Sequence, residues 1–304
     1  MKKAIVTGAN GFIGSALTYE LLANQVKVYA FVHKNTNNLP VNHSNIKLIP
    51  FSLDNIFNLK YDFIGNIDVF YHLAWQGSSG GARSDAILQH NNVKWSMDAL
   101  NYAKKIGVKR FVGAGSLMEK EVIYEVPKTG IRPSAVSVYG SGKLSSHFMT
   151  KTIAASIEIE HLWCYLTAYG VGDSPHRFIC ATIEKMINGE KTLPFTKADQ
   201  YYDFVYITDT AKALYLIGLK GLPFCAYNIG SGKPRQLYKY IEEMKNILSA
   251  DCKCDFGAYD YTGVYLPLEE FDSLALQNDT GFKCEVSFDE GIIKTSEWLQ
   301  KVVI

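Results

Sequence analysis

The sequence predicts an α/β protein, a doubly wound parallel sheet joined to a smaller C-terminal α/β lobe. Three observations predict it. An apolar run, Ala4-Ile5-Val6, leads through Thr7 into Gly8, Gly11 and Gly14 and then into a segment with Ile13, Leu17 and Leu21 on one helical face. Strand-like runs then alternate with helical patterns up to about residue 168. Beyond Tyr169 the alternation weakens, and Pro175, Pro194, Pro223, Pro234 and Pro267 punctuate the chain. The domains expected are therefore 1–168, with a later stretch at about 204–230 returning to it, and 169–304.

The first strand-glycine-helix unit is a candidate phosphate cradle. The first glycine permits a tight turn, the second lets a pyrophosphate approach the backbone, and the third lets helix pack on strand. The helix start then offers unpaired N–H groups to an anion. A second strand follows at Val26–Val32, a third at Ile46–Phe51 and a fourth at Ile67–Leu73. Asp85–Ile106 reads as a long helix closed by Gly107. Arg110–Ala114 is a fifth strand, Val138–Ala155 a helix and Ile159–Leu166 a sixth strand. In the second half, helical patterns lie near Phe178–Asn188, Thr208–Leu219 and Gln236–Leu248, with strands at Phe204–Ile207 and Ala226–Ile229.

Bulk properties narrow the function. The chain has 304 residues, 31 basic and 30 acidic, a balance that offers no basic field for nucleic acid or anionic lipid. No apolar run is long enough to span a bilayer, and the apolar run behind Lys2-Lys3 ends at Gly8, too short for a signal peptide, so a cytoplasmic location is expected. The six cysteines are scattered rather than framed as disulfides, and Cys252-Lys253-Cys254 lacks a second pair at zinc spacing, so no metal is expected.

Tyr139-Gly140-Ser141-Gly142-Lys143 places a phenol and an ammonium four residues apart, on one face of a helix. An ammonium there favours the phenolate, which suits the tyrosine to proton transfer near neutral pH. Two glycines inside a helix each cost roughly 1 kcal/mol, so something other than helix stability placed them there. Ser116 stands just past the fifth strand, at the sheet end where α/β proteins bind ligands.

Thr7-Gly8-x-x-Gly11-x-x-Gly14, His72-Leu73-Ala74, Asn92-Val93, Ser116 and Tyr139-x-x-x-Lys143 occur in that order. Tyr169-Gly170, Asp203-Phe204-Val205-Tyr206-Ile207-Thr208-Asp209, Tyr227-Asn228-Ile229-Gly230, Thr280-Gly281-Phe282 and Ser287-Phe288-Asp289-Glu290-Gly291 follow them. The set resembles the extended short-chain dehydrogenase/reductases of the epimerase/dehydratase type, and the resemblance covers nearly the whole chain. It implies a Rossmann domain with a small sugar-nucleotide lobe. Tyr139 would be the acid/base, Lys143 would lower its pKa and hold the nicotinamide ribose, and Ser116 would bond the reacting oxygen. The dinucleotide would lie over Gly8, Asn10, Gly11, Phe12, Ile13 and Gly14, with Leu53, Leu73, Ala74 and Asn92 around it.

His33 and Lys34 end the second strand where an acid would accept the adenosine ribose of NAD; their character favours NADP(H), with NAD(H) the alternative. After Ser116 come Leu117 and Met118, and Glu119 stands only third, which argues against 4,6-dehydration. The reaction expected is NADP(H)-dependent reduction of a nucleoside-diphosphate 4-keto-6-deoxyhexose. The alternatives are an NAD-dependent nucleotide-sugar 4-epimerase and, less favoured, a non-catalytic NADP-binding sensor. Tyr202 stands where the family often has a diphosphate-binding arginine, so either the site is aromatic or another cation serves, with Lys191, Lys197, Arg177 and Arg235 as candidates. Trp75, Arg83, Ser116, Thr167, Arg177 and Tyr202 are the expected substrate contacts, and the glycine-rich loop at 77–81 is a candidate flap. The family implies a homodimer formed by the two long helices.

Overall fold

The computed structural model describes residues 1–33, 36–63 and 65–303. Its first half runs β1 (Lys3–Thr7), α1 (Phe12–Ala23), β2 (Lys27–Val32), β3 (Ile46–Pro50), β4 (Val69–His72), α2 (Ala86–Lys105), β5 (Arg110–Ala114), α3 (Met118–Glu125), α4 (Ser137–Ser156) and β6 (Glu160–Leu166). The second half runs β7 (Ala168–Tyr169), α5 (Phe178–Ile187), β8 (Thr192–Phe195), β9 (Tyr201–Tyr202), β10 (Val205–Tyr206), α6 (Ile207–Lys220) and β11 (Ala226–Ile229). It ends with β12 (Arg235–Gln236), α7 (Leu237–Ile247), β13 (Lys253–Phe256), α8 (Leu274–Thr280) and α9 (Phe288–Val303).

Seven parallel strands form the central sheet in the order β11-β6-β5-β4-β1-β2-β3. The strand order reverses between β1 and β4, and the crevice at their C-terminal ends is where such sheets take ligands. Successive side chains alternate between faces. Ala4 and Val6 pack with Leu17 and Leu21 of α1 and Leu214 and Ile217 of α6 on one face. Ile5 packs on the other with Phe70, Phe111, and Leu100 and Tyr102 of α2. Burial on both faces is why β1, β2 and β4 read as continuous apolar runs rather than alternating ones. A separate core joins Ile179, Ile183 and Met186 of α5 to Leu237, Ile241 and Met244 of α7 and to Ile292 and Leu299 of α9.

Local signals explain most of the boundaries. Asp85 caps α2 by accepting from Leu88 N at 3.0 Å, and Gly107 follows its end at φ +79°. Asp203 holds the turn after β11 through Ser231 Oγ and Gly232 N, and Asp209 accepts from Glu285 N and Val286 N. The Asp-Phe and Ser-Gly stretches are thus joints that tie the C-terminal segments to the sheet.

Several elements lie outside the expected set. The short helix α3 follows the Ser116 loop directly, and a helix of eight residues depends on tertiary packing more than on propensity. The β8–β13 pair joins strands nearly sixty residues apart, a distance local pattern does not reach. Helix α9 did carry a signal. Ser287 Oγ accepts from Glu290 N at 3.3 Å, a serine cap with glutamate three residues on. No helix among the described residues is long and apolar enough to cross a membrane.

Candidate active site

Gly8, at φ +67°, turns the chain out of β1, and a Cβ there would stand 2.9 Å from Ala74 Cα beyond β4. A Cβ on Gly14 would overlap Gly8 O, so α1 can begin directly over the turn only with glycine there. Gly11 makes a looser contact, its Cβ position lying 3.2 Å from Gly8 O and facing a cavity. That cavity, about 330 Å³, is walled by Gly8, Asn10, Gly11, Phe12, Ile13 and Gly14, and by His33, Leu53, Leu73 and Ala74 on its far sides. A backbone cradle at a helix N-terminus, kept open by absent side chains, fits a dinucleotide pyrophosphate.

His72 fixes this end of the sheet. Ser96 Oγ donates to Asn92 O at 2.9 Å, which leaves its lone pair for His72 Nε2–H at 3.2 Å. His72 Nδ1 then accepts from Thr7 Oγ1 at 3.0 Å, and Thr7 Oγ1 in turn accepts from Leu73 N and Ala74 N, both at 3.2 Å. Burial pushes His72 down to about 3, so the ring is neutral and the clamp between β1 and β4 stays uncharged.

A second cavity, about 640 Å³, opens beside the first and shares Ile13, Leu73, Trp75, Ala114 and Arg177 with it. Ser116, Tyr139, Lys143, Arg83, Thr167 and Tyr202 all line it, so the structure gathers them although they lie far apart in sequence. The glycines of α4 are explained by packing. A Cβ on Gly140 would stand 2.5 Å from Met118 O, and one on Gly142 would stand 3.4 Å from Gln89 O. They let α4 lie against the start of α3 and against α2, which sets Tyr139 beside Ser116.

The electrostatics differ from expectation at one point. Burial pushes Tyr139 up, while the Arg83 charge and a hydrogen bond with Ser116 pull it back. Arg83 lies 4.7 Å from the Tyr139 ring centroid. The expected effect of Lys143 on the phenol is not what this structure shows. Lys143 Nζ donates instead to Ala114 O at 2.7 Å and sits 3.8 Å from the Trp75 ring centroid. Burial lowers it to about 7, with the Glu119 charge opposing. The cations that favour the phenolate here are Arg83 and, less strongly, Arg177, which a Tyr-x-x-x-Lys spacing cannot reveal. Arg83 Nε is itself buried without a hydrogen-bond partner among the described residues.

Other expectations shift. Asn92 does not line either cavity. It binds Gln76 through both backbone groups, Nδ2 to Gln76 O at 2.8 Å and Oδ1 to Gln76 N at 3.0 Å, and so shapes the loop after β4. The glycine-rich loop runs into a helical turn at Gly80–Ser84. Gln89 pins it through Gly77 O at 3.0 Å and Ala82 O at 2.9 Å, while also accepting from Trp75 Nε1 at 2.8 Å. Trp75 is therefore the cover over Lys143 as well as a wall of the cleft. Of the candidate diphosphate cations, Arg177 lines both cavities and pairs with Asp173 at 3.3 Å. Lys191 pairs with Asp251, Arg235 pairs with Glu243 away from the cleft, and Lys197 is exposed outside the lining. Lys34 lies outside the described residues.

Sequence reasoning missed Glu121 and Asp173 in the cleft wall, and Tyr261 across from them. Burial raises Glu121 to about 7 and Asp173 to about 6. Neither stands in a recognisable spacing, and both depend on how α3 and the start of α5 meet the sheet.

A model of the NAD dependent epimerase/dehydratase family matches residues 4–230. A putative UDP-glucose 4-epimerase of Methanocaldococcus jannaschii is 25% identical, over 97% of this chain and 98% of the relative. A dTDP-6-deoxy-L-talose 4-dehydrogenase (NAD(+)) of Aggregatibacter actinomycetemcomitans is 24% identical, over 90% and 97%. Among solved structures, a UDP-N-acetylglucosamine 4-epimerase from Methanobrevibacter ruminantium superposes with TM-score 0.82 at 22% identity, over 99% of this chain and 98% of that one. That likeness shows the fold.

Proposed function

The chain belongs to the NAD dependent epimerase/dehydratase family, and we propose that it transfers hydride at C4 of a nucleotide sugar, as the NADP(H)-dependent reduction of a nucleoside-diphosphate 4-keto-6-deoxyhexose. The observation that carries this reading is the meeting of Ser116, Tyr139 and Lys143 in a cavity that opens onto the glycine cradle. The nicotinamide, when bound, supplies the hydride. Ser116 and Tyr139 hold the 4-oxygen between them, and Tyr139 gives its proton to the alkoxide that forms there. The Arg83 charge beside the ring stabilises the phenolate left behind. Lys143 holds the nicotinamide ribose, and Arg177 meets the diphosphate. The position of Glu119 supports reduction over dehydration, because its carboxylate is bonded behind Ser116 and does not line the cleft.

The NADP preference rests on the cradle. No acidic side chain lines it among the described residues, and His33 is the side chain at the end of β2. A carboxylate there would accept from the 2′-hydroxyl of the NAD ribose and favour NAD. The 4-epimerase reading is favoured instead by the names of similar proteins. Ile87 on α2, with Phe148 and Met149 on α4, leaves apolar surface exposed on the two helices proposed to pair in a homodimer.

The test is NADPH consumption with a panel of 4-keto nucleotide sugars, beside binding titrations of NADPH and NADH. Tyr139→Phe should lower kcat by about 10²–10⁴-fold with dinucleotide affinity unchanged. Retained turnover in that variant would sink the mechanism. Tightly held NAD with interconversion of 4-epimers and no net NADPH consumption would select the epimerase. Tight cofactor binding with no turnover of any kind would select the sensor.

A further inference from the structure

Glu119 is fully buried, 0% exposed, and its environment is specific. Oε1 accepts from Ser116 N at 2.8 Å, and both oxygens accept from Trp163 Nε1 at 3.1 Å. Oε2 lies 3.3 Å from Nδ1 of His147, which stands on α4 one turn beyond Lys143. The His147 ring stacks on Trp163 with centroids 4.8 Å apart and planes 6° apart, and its Nε2 has no hydrogen-bond partner among the described residues.

The backbone makes room for this arrangement at two places. A Cβ on Gly115 would stand 2.6 Å from Glu119 Oε1, and one on Gly113 would overlap the Trp163 ring. Strand β5 and the residue just after it thus give up two side chains next to Ser116. A carboxylate taken wholly out of water is costly unless paired and hydrogen-bonded, and an apolar side chain of similar size would avoid that cost. Stability alone therefore does not account for a buried acid at this position.

We propose that Glu119 and His147 form a buried positioning couple that holds the Ser116 backbone and sets a negative charge behind it, close enough to act on Tyr139 and Lys143. The proposal rests on the reading of Ser116, Tyr139 and Lys143 as the reacting groups. The groups around the couple come from four elements. Ser116 N comes from the loop after β5. Tyr139, Lys143 and His147 come from α4. Trp163, Tyr165 and the stacked His161 come from β6, and Lys120, held to Glu270, comes from α3. The Glu119 charge raises both Tyr139 and Lys143.

Glu119→Gln keeps an acceptor for Ser116 N and Trp163 Nε1 while removing the charge. Tyr139 should then ionise at lower pH, because the removed charge is one that raises it. The readout is the ultraviolet absorbance of tyrosinate against pH, each protein measured against its own Tyr139→Phe form, together with the pH profile of kcat. The kcat limb that reports Tyr139 should move by the same amount, with KM little changed and dinucleotide binding intact. His147→Phe keeps the stack on Trp163 and should displace the same titration.

Folded variants that titrate as wild type, or an activity loss confined to KM, would overturn the proposal. If Glu119→Gln does not fold, an unmoved Tyr139 titration in His147→Phe overturns it. A wild type that turns over no nucleotide sugar, while the absorbance titration still shifts in Glu119→Gln, overturns the proposed function and leaves the couple standing.

Discussion

The glycine half of the cleft is built from backbone of one short stretch, Gly8–Gly14, and from the ends of adjacent strands β1, β2 and β4. The tyrosine half is built from side chains delivered by separate segments: Arg83 before α2, Ser116 after β5, Glu121 on α3, Tyr139 and Lys143 on α4, and Tyr202 and Tyr261 from the second half of the chain. Backbone geometry forced by glycine is written locally, so the first half tolerates little change and declares itself in sequence. Side chains aimed from distant elements declare themselves only when folding brings the elements together. The second half can thus be retuned residue by residue without rebuilding the fold.

Substitutions in the glycine half separate packing from ligand space, and have the largest expected effect. Gly14→Val sets a side chain into Gly8 O and should cost about 1–3 kcal/mol of stability along with dinucleotide binding, read by denaturant unfolding and NADPH titration. Gly11→Ala brings its Cβ to 3.2 Å from Gly8 O, a milder contact than the overlap at Gly14, and φ −81° suits alanine. It should cost less stability than Gly14→Val while weakening dinucleotide binding about tenfold, some 1.4 kcal/mol. Equal losses of stability in the two variants would break the distinction between packing and ligand glycines.

In the tyrosine half the effects should appear in pH dependence. Lys143 sits at about 7 in the folded protein, below its ordinary 10.5. Between those values the unfolded chain binds the extra proton, so this group makes stability rise with pH across that window. Lys143→Met should be more stable than wild type below about pH 7, with the gap closing as pH rises toward 10.5. A pH-independent gap in denaturant midpoints would show that the lysine is not held in this desolvated state. Glu121 gives the opposite slope, and a smaller one. Its carboxyl lies at about 7 against an ordinary 4.5, so the folded chain binds the extra proton and stability falls as pH rises between them. Glu121→Gln should flatten that part of the stability profile; an unchanged slope would place the carboxyl in water.

The sheet was legible because β1, β2, β4 and β5 are covered on both faces and therefore apolar in their interiors, and because Asp85 and Gly107 mark the ends of α2. Tyr139 and Lys143 were legible as a pair because helical spacing puts them on one face. Their electrostatic relation was not. Lys143 turns to Ala114 O, and the charge over Tyr139 comes from Arg83, more than fifty residues earlier. Asn92 was expected beside the dinucleotide from the resemblance, yet its amide binds the Gln76 backbone and lines neither cavity.

Sequence by itself therefore determined the doubly wound sheet and the glycine turn, encoded in periodicity and backbone permission, and put Tyr139 and Lys143 on one helical face by local spacing. Tertiary structure decided which cation faces the phenol, that Glu119 turns away from the cleft to meet Trp163 and His147, and that Glu121 turns toward it. Residues 119 and 121 share one short helix, and their opposite surroundings follow from how α3 packs on α4 through Gly140, a contact between residues roughly twenty positions apart that no local pattern specifies.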